Sequence, residues 1–162
     1  MKTLPLLFAI LAGLLLGGGS AAVAVVSIAS SSTTAVAYSG TLYGQPEDVY
    51  LSGLVQISTV VVRDPDFGKP PKVVLSIDFG NVSGQGLKTG TRYVAGGNQV
   101  LTRPLVARDI VDVIFPIYAR GTTGAAGARS AKASFALTYD TTTGAVTGVS
   151  ASATADASPA LQ

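Results

Sequence analysis

Cysteine, histidine and tryptophan are all absent from this 162-residue chain. Without cysteine, the chain can form no disulfide, thiolate zinc site, iron–sulfur cluster or thiol nucleophile. Without histidine, it lacks the usual general base and the side chain that normally titrates near neutral pH. These absences exclude many classes of enzyme, and we predict a protein that is not an enzyme.

Charge and aromatic side chains are also scarce. Only 12% of the residues are charged and 7% are aromatic, and the formal net charge is +2. Since so small a charge creates no long-range field, we expect no nucleic-acid partner. The chain is instead 48% hydrophobic with 19 glycines and many Ala, Ser, Thr and Val residues. This composition is typical of one domain built from strands and turns.

The N-terminus has the layout of a secretory signal peptide. Lys2 precedes an apolar run, Leu4–Leu16, and Ala22-Val23-Ala24 forms a cleavage signal. Cleavage is predicted after Ala24 or later, near Ala37. We therefore expect an exported protein that is periplasmic, on the cell surface or extracellular. The alternative is an anchor formed by an uncleaved N-terminal helix, because the uncharged run exceeds the ~20 residues that span a bilayer.

The rest of the chain divides by composition. Residues 1–24 are the predicted signal peptide and residues 25–37, rich in Ser, Thr and Ala, predict a flexible lead-in. Residues 38–155 are predicted to form a single β domain, and residues 156–162 a flexible tail.

Apolar residues alternate with polar ones in several short segments of this domain, which is the pattern of half-buried strands. The inward faces predicted from this alternation are Val49, Leu51, Val55 and Ile57, then Val73, Leu75, Ile77 and Phe79, then Ala133, Phe135, Leu137 and Tyr139. Gly96-Gly97-Asn98 predicts a hairpin between Thr91–Ala95 and Val100–Arg103, and Pro116 predicts an edge position or a bulge.

These segments predict an all-β fold. Roughly seven or eight short strands separated by turns at regular spacing favour an antiparallel β-sandwich, with a small closed β-barrel as the alternative.

The tripeptide Asp-Phe-Gly occurs twice, at residues 66–68 and 78–80. Protein kinases use it to hold magnesium, but the His-Arg-Asp loop they also need is missing. We interpret Asp66 as a turn residue and Asp78 as a charge on the outer face of a strand.

No cofactor is expected. The remaining metal hypothesis is calcium, with Asp64 and Asp66 as the candidate ligands and Glu47, Asp48 and Asp78 as further oxygen donors.

Cations concentrate in the second half of the chain. Seven of them form a candidate patch for an anionic ligand, against only Asp109 and Asp112 in the same stretch: Lys88, Arg92, Arg103, Arg108, Arg120, Arg129 and Lys132.

Taken together, these features predict an exported, non-enzymatic structural or binding module at the cell envelope or outside the cell. It could assemble by strand addition, and a homo-oligomer is one form of this. The expected partners are an envelope or extracellular protein, or an anionic glycan or lipid. The alternatives are a lipocalin-like barrel that binds a ligand inside, and a glycan hydrolase that uses carboxylates such as Asp78, Asp109 and Asp112.

Overall fold

The computed structural model describes residues 27–63, 71–121 and 127–154. Within these ranges the chain forms eight strands, and every strand pair is antiparallel. The strands are β1 (Ser27–Leu42), β2 (Val49–Arg63), β3 (Lys72–Gly86), β4 (Arg92–Ala95), β5 (Asn98–Pro104), β6 (Arg108–Ala119), β7 (Arg129–Tyr139) and β8 (Val146–Thr154). The predicted all-β antiparallel fold is confirmed. None of the described residues belongs to a helix long and apolar enough to cross a membrane.

The strands form one sheet in the order β1-β2-β3-β4-β6-β7-β8, and β5 pairs with β3 beside β4. The sheet curls until β8 lies next to β1, where Gly40 of β1 meets the Ala153 side chain of β8. Any side chain at position 40 would overlap Ala153, so the close approach needs glycine. Of the two architectures that the sequence left open, the nearly closed sheet has the form of the small barrel.

The inside of the barrel is built by strict alternation along the strands. Val73, Leu75, Ile77 and Phe79 of β3 are all 0% exposed, whereas Asp78 between them is exposed. The same alternation holds along β2 and β7, so all three predicted inward faces are confirmed. A period of two places every second side chain on one face of a sheet, and this explains why the sequence pattern was sufficient.

Aromatic rings from four strands fill the interior. Phe79 of β3 stacks on Phe115 of β6 with ring centroids 3.9 Å apart, and Tyr38 of β1 meets Phe115 edge-on at 5.8 Å. Phe135 of β7 lies 6.0 Å from Phe79. Burial raises the pKa of Tyr38 to about 12.

The second Asp-Phe-Gly copy forms a β-bulge in β3. Leu54 pairs with Asn81 and Gln56 pairs with Asp78, so one residue of β2 lies opposite two residues of β3. The Asp78 carboxylate accepts a hydrogen bond of 2.8 Å from the Gly80 amide inside this bulge. Asp78 therefore shapes the strand, and its exposed position agrees with its predicted outward orientation.

The structure corrects the predicted flexible lead-in. Residues 27–37 belong to β1, which pairs with β2 along its whole length. Serine and threonine side chains stabilise this pairing by hydrogen bonds across the two strands, 2.7 Å from Ser32 to Thr59 and 3.0 Å from Thr33 to Ser58. The polar composition that indicated a linker instead belongs to cross-strand pairs.

The predicted hairpin at Gly96-Gly97-Asn98 is wrong. β4 and β5 do not pair with each other, because both run along the same edge of β3. Gly97 has a φ of 96°, a conformation that glycine adopts without strain, and it kinks the chain without reversing it. The Gly97 carbonyl accepts a hydrogen bond from the Phe79 amide at this kink.

Beyond the kink, the barrel wall opens between β5 and β6. Within the described residues, β5 pairs only with β3, and residues 108–116 of β6 pair only with β7. Pro116 lies where the pairing of β6 with β4 stops, which agrees with its predicted edge position. A bidentate ion pair between Arg103 and Asp109 spans this β5–β6 opening, with distances of 2.7 and 2.9 Å.

Candidate functional site

Three connections meet at one end of the barrel. Val49 at the start of β2 pairs with Gly86 at the end of β3, and Tyr93 of β4 pairs with Ala119 at the end of β6. The residues between β1 and β2, the turn between β3 and β4, and the start of β7 therefore lie at the same end. We call residues 43–48 and 87–91 together with Arg129 the loop platform.

Glu47 holds the loop platform together. Its side chain is almost fully buried, and its carboxylate accepts hydrogen bonds from the Thr89 hydroxyl at 2.7 Å and the Thr89 amide at 2.8 Å. The Lys88 amide donates a further bond at 3.1 Å and the Tyr93 hydroxyl another at 3.2 Å. These bonds hold the pKa of Glu47 below its ordinary value, those from Thr89 contributing most.

Two neighbours make room for Glu47 and extend its contacts. Gly86 lies against the Glu47 carboxylate, and a side chain at position 86 would overlap it. Arg129 donates hydrogen bonds to the backbone carbonyls of Glu47 at 2.6 Å and Tyr43 at 3.2 Å. The Leu87 amide also donates a hydrogen bond of 2.8 Å to the Asp48 carbonyl, so the two loops are bonded directly to each other.

A groove of ≈ 530 Å³ lies on the outer face of the barrel beside this platform. Strands β2, β3 and β4 form its floor, and Arg92 and Arg120 both line it. The Arg120 amide donates a hydrogen bond of 2.7 Å to the Arg92 carbonyl, so the backbone keeps the two arginines adjacent. The lining residues are Tyr50, Ser52, Ser83, Gly84, Gln85, Arg92, Tyr93, Val94 and Arg120.

We call this the basic groove, since none of its lining residues, all within the described ranges, is acidic. Two guanidinium groups give it fixed positive charge at any physiological pH. Serine hydroxyls and the Gln85 amide add neutral hydrogen-bonding groups, and Tyr50 adds a half-exposed ring. Chemically, this set suits an anion that also carries hydroxyl groups.

The other five members of the predicted cation patch lie elsewhere or have other contacts. Arg103 pairs with Asp109, Lys132 lies 3.6 Å from Asp112, and Arg129 binds backbone carbonyls. Arg108 begins the strand that Arg120 follows, which separates the two by roughly 40 Å of extended chain. Lys88 belongs to the loop platform. The structure thus brings Arg92 and Arg120 together and disperses the rest.

The calcium candidates Asp64 and Asp66 lie outside the described residues. Among the residues that are described, no group of three or more acidic side chains is arranged to hold a metal ion. The further donors each have a local hydrogen-bonding role: Glu47 in the platform, Asp48 with the Gly44 amide at 3.0 Å, and Asp78 in the bulge.

The carboxylates considered for glycan hydrolysis are on strands that are not neighbours. Asp78 is on β3, whereas Asp109 and Asp112 are on β6, and β4 separates these strands in the sheet. The hydrogen bond from Ser134 and the nearby Lys132 hold the pKa of Asp112 below its ordinary value. Arg103 lowers the pKa of Asp109 in the same way. Asp109 and Asp112 are therefore both ionised at neutral pH, whereas a general acid must be protonated.

The role of Glu47 in the platform differs from the role of calcium donor predicted for it from the sequence. The partners of its carboxylate follow it by more than 40 residues, so no local spacing could indicate them. Comparison of the chain with protein-family models, with curated proteins and with solved structures gives no significant match. The function is therefore inferred from the platform and the groove.

Proposed function

We propose that this protein is an exported, non-enzymatic binding module that holds an anionic glycan in the basic groove. The observation that carries the proposal is the adjacent pair Arg92 and Arg120 in an acid-free groove lined by hydroxyl and amide groups. Sugar carboxylates and sulfates accept the paired N–H groups of a guanidinium, and charge-assisted bonds of this kind are about twice as strong as neutral ones.

The lining explains why a glycan is preferred to a simple anion. Tyr50 is 45% exposed and offers a ring face against which a sugar can pack. Ser52, Ser83 and Gln85 stand beside it on the same face and can bond sugar hydroxyls. A single inorganic anion would use the arginines alone, whereas a glycan uses the whole groove.

The fold supports one of the two predicted cleavage points. Cleavage after Ala24 leaves all of β1 in place, whereas cleavage after Ala37 removes the part of β1 that pairs with Leu54 to Arg63. Since β1 also supplies Ser32, whose hydroxyl bonds Thr59, the longer form is the one that keeps the barrel whole. We therefore propose export with processing near Ala24.

The packed interior favours binding on the outside over the lipocalin-like alternative. Phe79, Phe115 and Phe135 are each 0% exposed and fill the centre of the barrel with Tyr38. A ligand inside would have to displace these rings. The hydrolase alternative stays a hypothesis and is tested together with binding.

Binding is tested by titrating a soluble polyuronate into the protein by calorimetry at low salt, with neutral dextran of similar length as the comparison. We expect the polyuronate to bind and the dextran not to. The double variant Arg92→Gln/Arg120→Gln should bind at least about tenfold more weakly, because it loses two charge-assisted contacts.

The matched control is Lys72→Gln/Arg108→Gln, which removes the same charge from exposed positions outside the groove. Equal weakening in both double variants would show attraction by net charge alone and contradict a built site.

The same glycans, assayed for reducing ends with the wild type and with Asp78→Asn and Asp112→Asn, test the hydrolase. Turnover that either substitution abolishes would overturn the non-enzymatic proposal.

A further inference from the structure

Two large apolar side chains project from the loop platform. Tyr43 is 54% exposed in the connection between β1 and β2, and Leu87 is 62% exposed in the turn between β3 and β4. The two loops are tied by the Leu87 amide to the Asp48 carbonyl and by the Glu47 carboxylate. The apolar tips are therefore presented by two loops that are hydrogen-bonded to each other.

The formal net charge of this end of the barrel is +2, because four cations stand against two acids: Lys88, Arg92, Arg120 and Arg129 against Glu47 and Asp48. Lys88 follows Leu87 directly, and Arg92 and Arg120 lie at the same end of the barrel. The acids of this end face inward or bond locally, since the Glu47 carboxylate accepts four hydrogen bonds and Asp48 accepts one from Gly44. The outward surface of the platform thus combines apolar tips with cations.

We propose that the loop platform docks on the surface of an anionic lipid bilayer, with Leu87 and Tyr43 inserted at the headgroup boundary. Charge complementarity selects this occupant. Anionic headgroups attract cations within a Debye length of the surface, and exposed apolar side chains gain by entering the interface. Tyrosine is especially suited to this depth because its ring is apolar and its hydroxyl is polar.

Two exposed isoleucines on the barrel wall do not share this setting. Ile110 and Ile114 are 70% and 63% exposed, but they lie on the wall of β6 on either side of Asp112. That carboxylate lies 3.6 Å from the Lys132 ammonium, and Lys132 pairs with Ile114, so the two nearest charges cancel. The wall therefore provides a matched internal control, with side chains of similar exposure in a neutral setting.

The absence of tryptophan from the chain makes a local test possible. Leu87→Trp places a single fluorophore at the tip, and Ile114→Trp places one on the wall. With vesicles that are one-third phosphatidylglycerol in phosphatidylcholine, we expect the emission of the Leu87→Trp protein to shift to the blue. The Ile114→Trp emission should not shift, and pure phosphatidylcholine should shift neither. The experiment uses the chain processed after Ala24, so that an N-terminal segment in the bilayer neither produces the signal nor holds the platform away from the vesicle.

Vesicle co-sedimentation then measures the contributions of the two features. Lys88→Gln should weaken binding roughly fivefold, the effect of one cation near an anionic surface. Leu87→Ser should weaken it about tenfold or more, because a leucine side chain no longer enters the interface. Thr102→Ser, at an exposed position on β5, should leave it unchanged.

Three outcomes would overturn the proposal. The first is an unshifted Leu87→Trp emission, and the second is equal shifts at positions 87 and 114. The third is self-association of the protein in the absence of vesicles, measured by ultracentrifugation and abolished by Leu87→Ser. This result would show that the apolar tips bind a second copy of the chain. The test is independent of the basic groove, because Leu87→Ser should keep polyuronate affinity within about twofold whether or not vesicles bind.

Discussion

Among the described residues, two pairs of neighbouring strands, β1 with β8 and β5 with β6, meet without a ladder of backbone hydrogen bonds. We call these two places the joints, and the contacts that form them differ. Where β8 lies next to β1, no charged residue occurs in either strand, and Gly40 and Ala153 meet in direct contact. At the β5–β6 opening, the chain uses Arg103 and Asp109 instead. The first joint depends on the fit of small side chains and the second on charge, so the two should respond to different perturbations.

The largest effect is expected where β1 meets β8. Gly40→Ala places a methyl group on that of Ala153, and overpacking of this kind costs about 1–3 kcal/mol of unfolding free energy. Ala153→Gly in the same chain should restore most of the loss, since it vacates the space. Urea unfolding of both single variants and the double variant measures the coupling. Simple additivity of the two changes would show that the contact does not join the strands.

A smaller effect is expected at the β5–β6 opening. Asp109→Asn removes the ion pair with Arg103, whose side chain is 42% exposed, so the loss in unfolding free energy should be about 1 kcal/mol. About 1 M NaCl shortens the Debye length to roughly 3 Å and should remove much of the difference from wild type. The Gly40→Ala deficit should persist in the same salt. If salt rescued both variants equally, the contrast between the joints would be wrong.

The smallest effect is the loss of unfolding free energy in acid. We expect it at the β5–β6 joint and not where β1 meets β8. The folded-state pKa values of Asp109 and Glu47 are lowered, so their stabilisation is present above the unfolded value of about 4 and is lost as pH falls through the folded values. The gap between wild type and Asp109→Asn should close on titration from about pH 5 to about pH 2. The Gly40→Ala gap, which involves no proton, should stay constant, and a parallel change in both would contradict this account.

The strands of the core could be predicted from the sequence because the alternation of apolar and polar residues within each strand is enough to indicate it. Along Val73 to Phe79, each residue shows by its own polarity which face it takes. The pattern failed for residues 27–37, where five Ser and Thr residues follow one another from Ser30 to Thr34 and polarity does not distinguish the two faces. There, the partner strand β2 decides the structure.

The predictions of a hairpin and of one cation patch failed because the residues that decide these structures are far apart in the sequence. Gly96-Gly97 has the composition of a reversal, but β3 offers pairing on both sides of the kink, and the chain continues along it. Cations close in sequence are separated in space because each long strand carries its two ends to opposite ends of the barrel. Arg92 and Arg120 meet for the same reason, since β4 pairs with the end of β6.

The direction of β1 has a consequence for how the groove would be displayed. β1 begins at Ser27, at the end of the barrel remote from the loop platform, and runs for 16 residues, or roughly 50 Å, toward it. A chain kept in a bilayer by its N-terminus would therefore hold the platform outward, like the head of a stalk. Under the docking proposal its apolar tips would then be presented to a facing membrane, and retention of the N-terminus would make the protein a bridge between two surfaces.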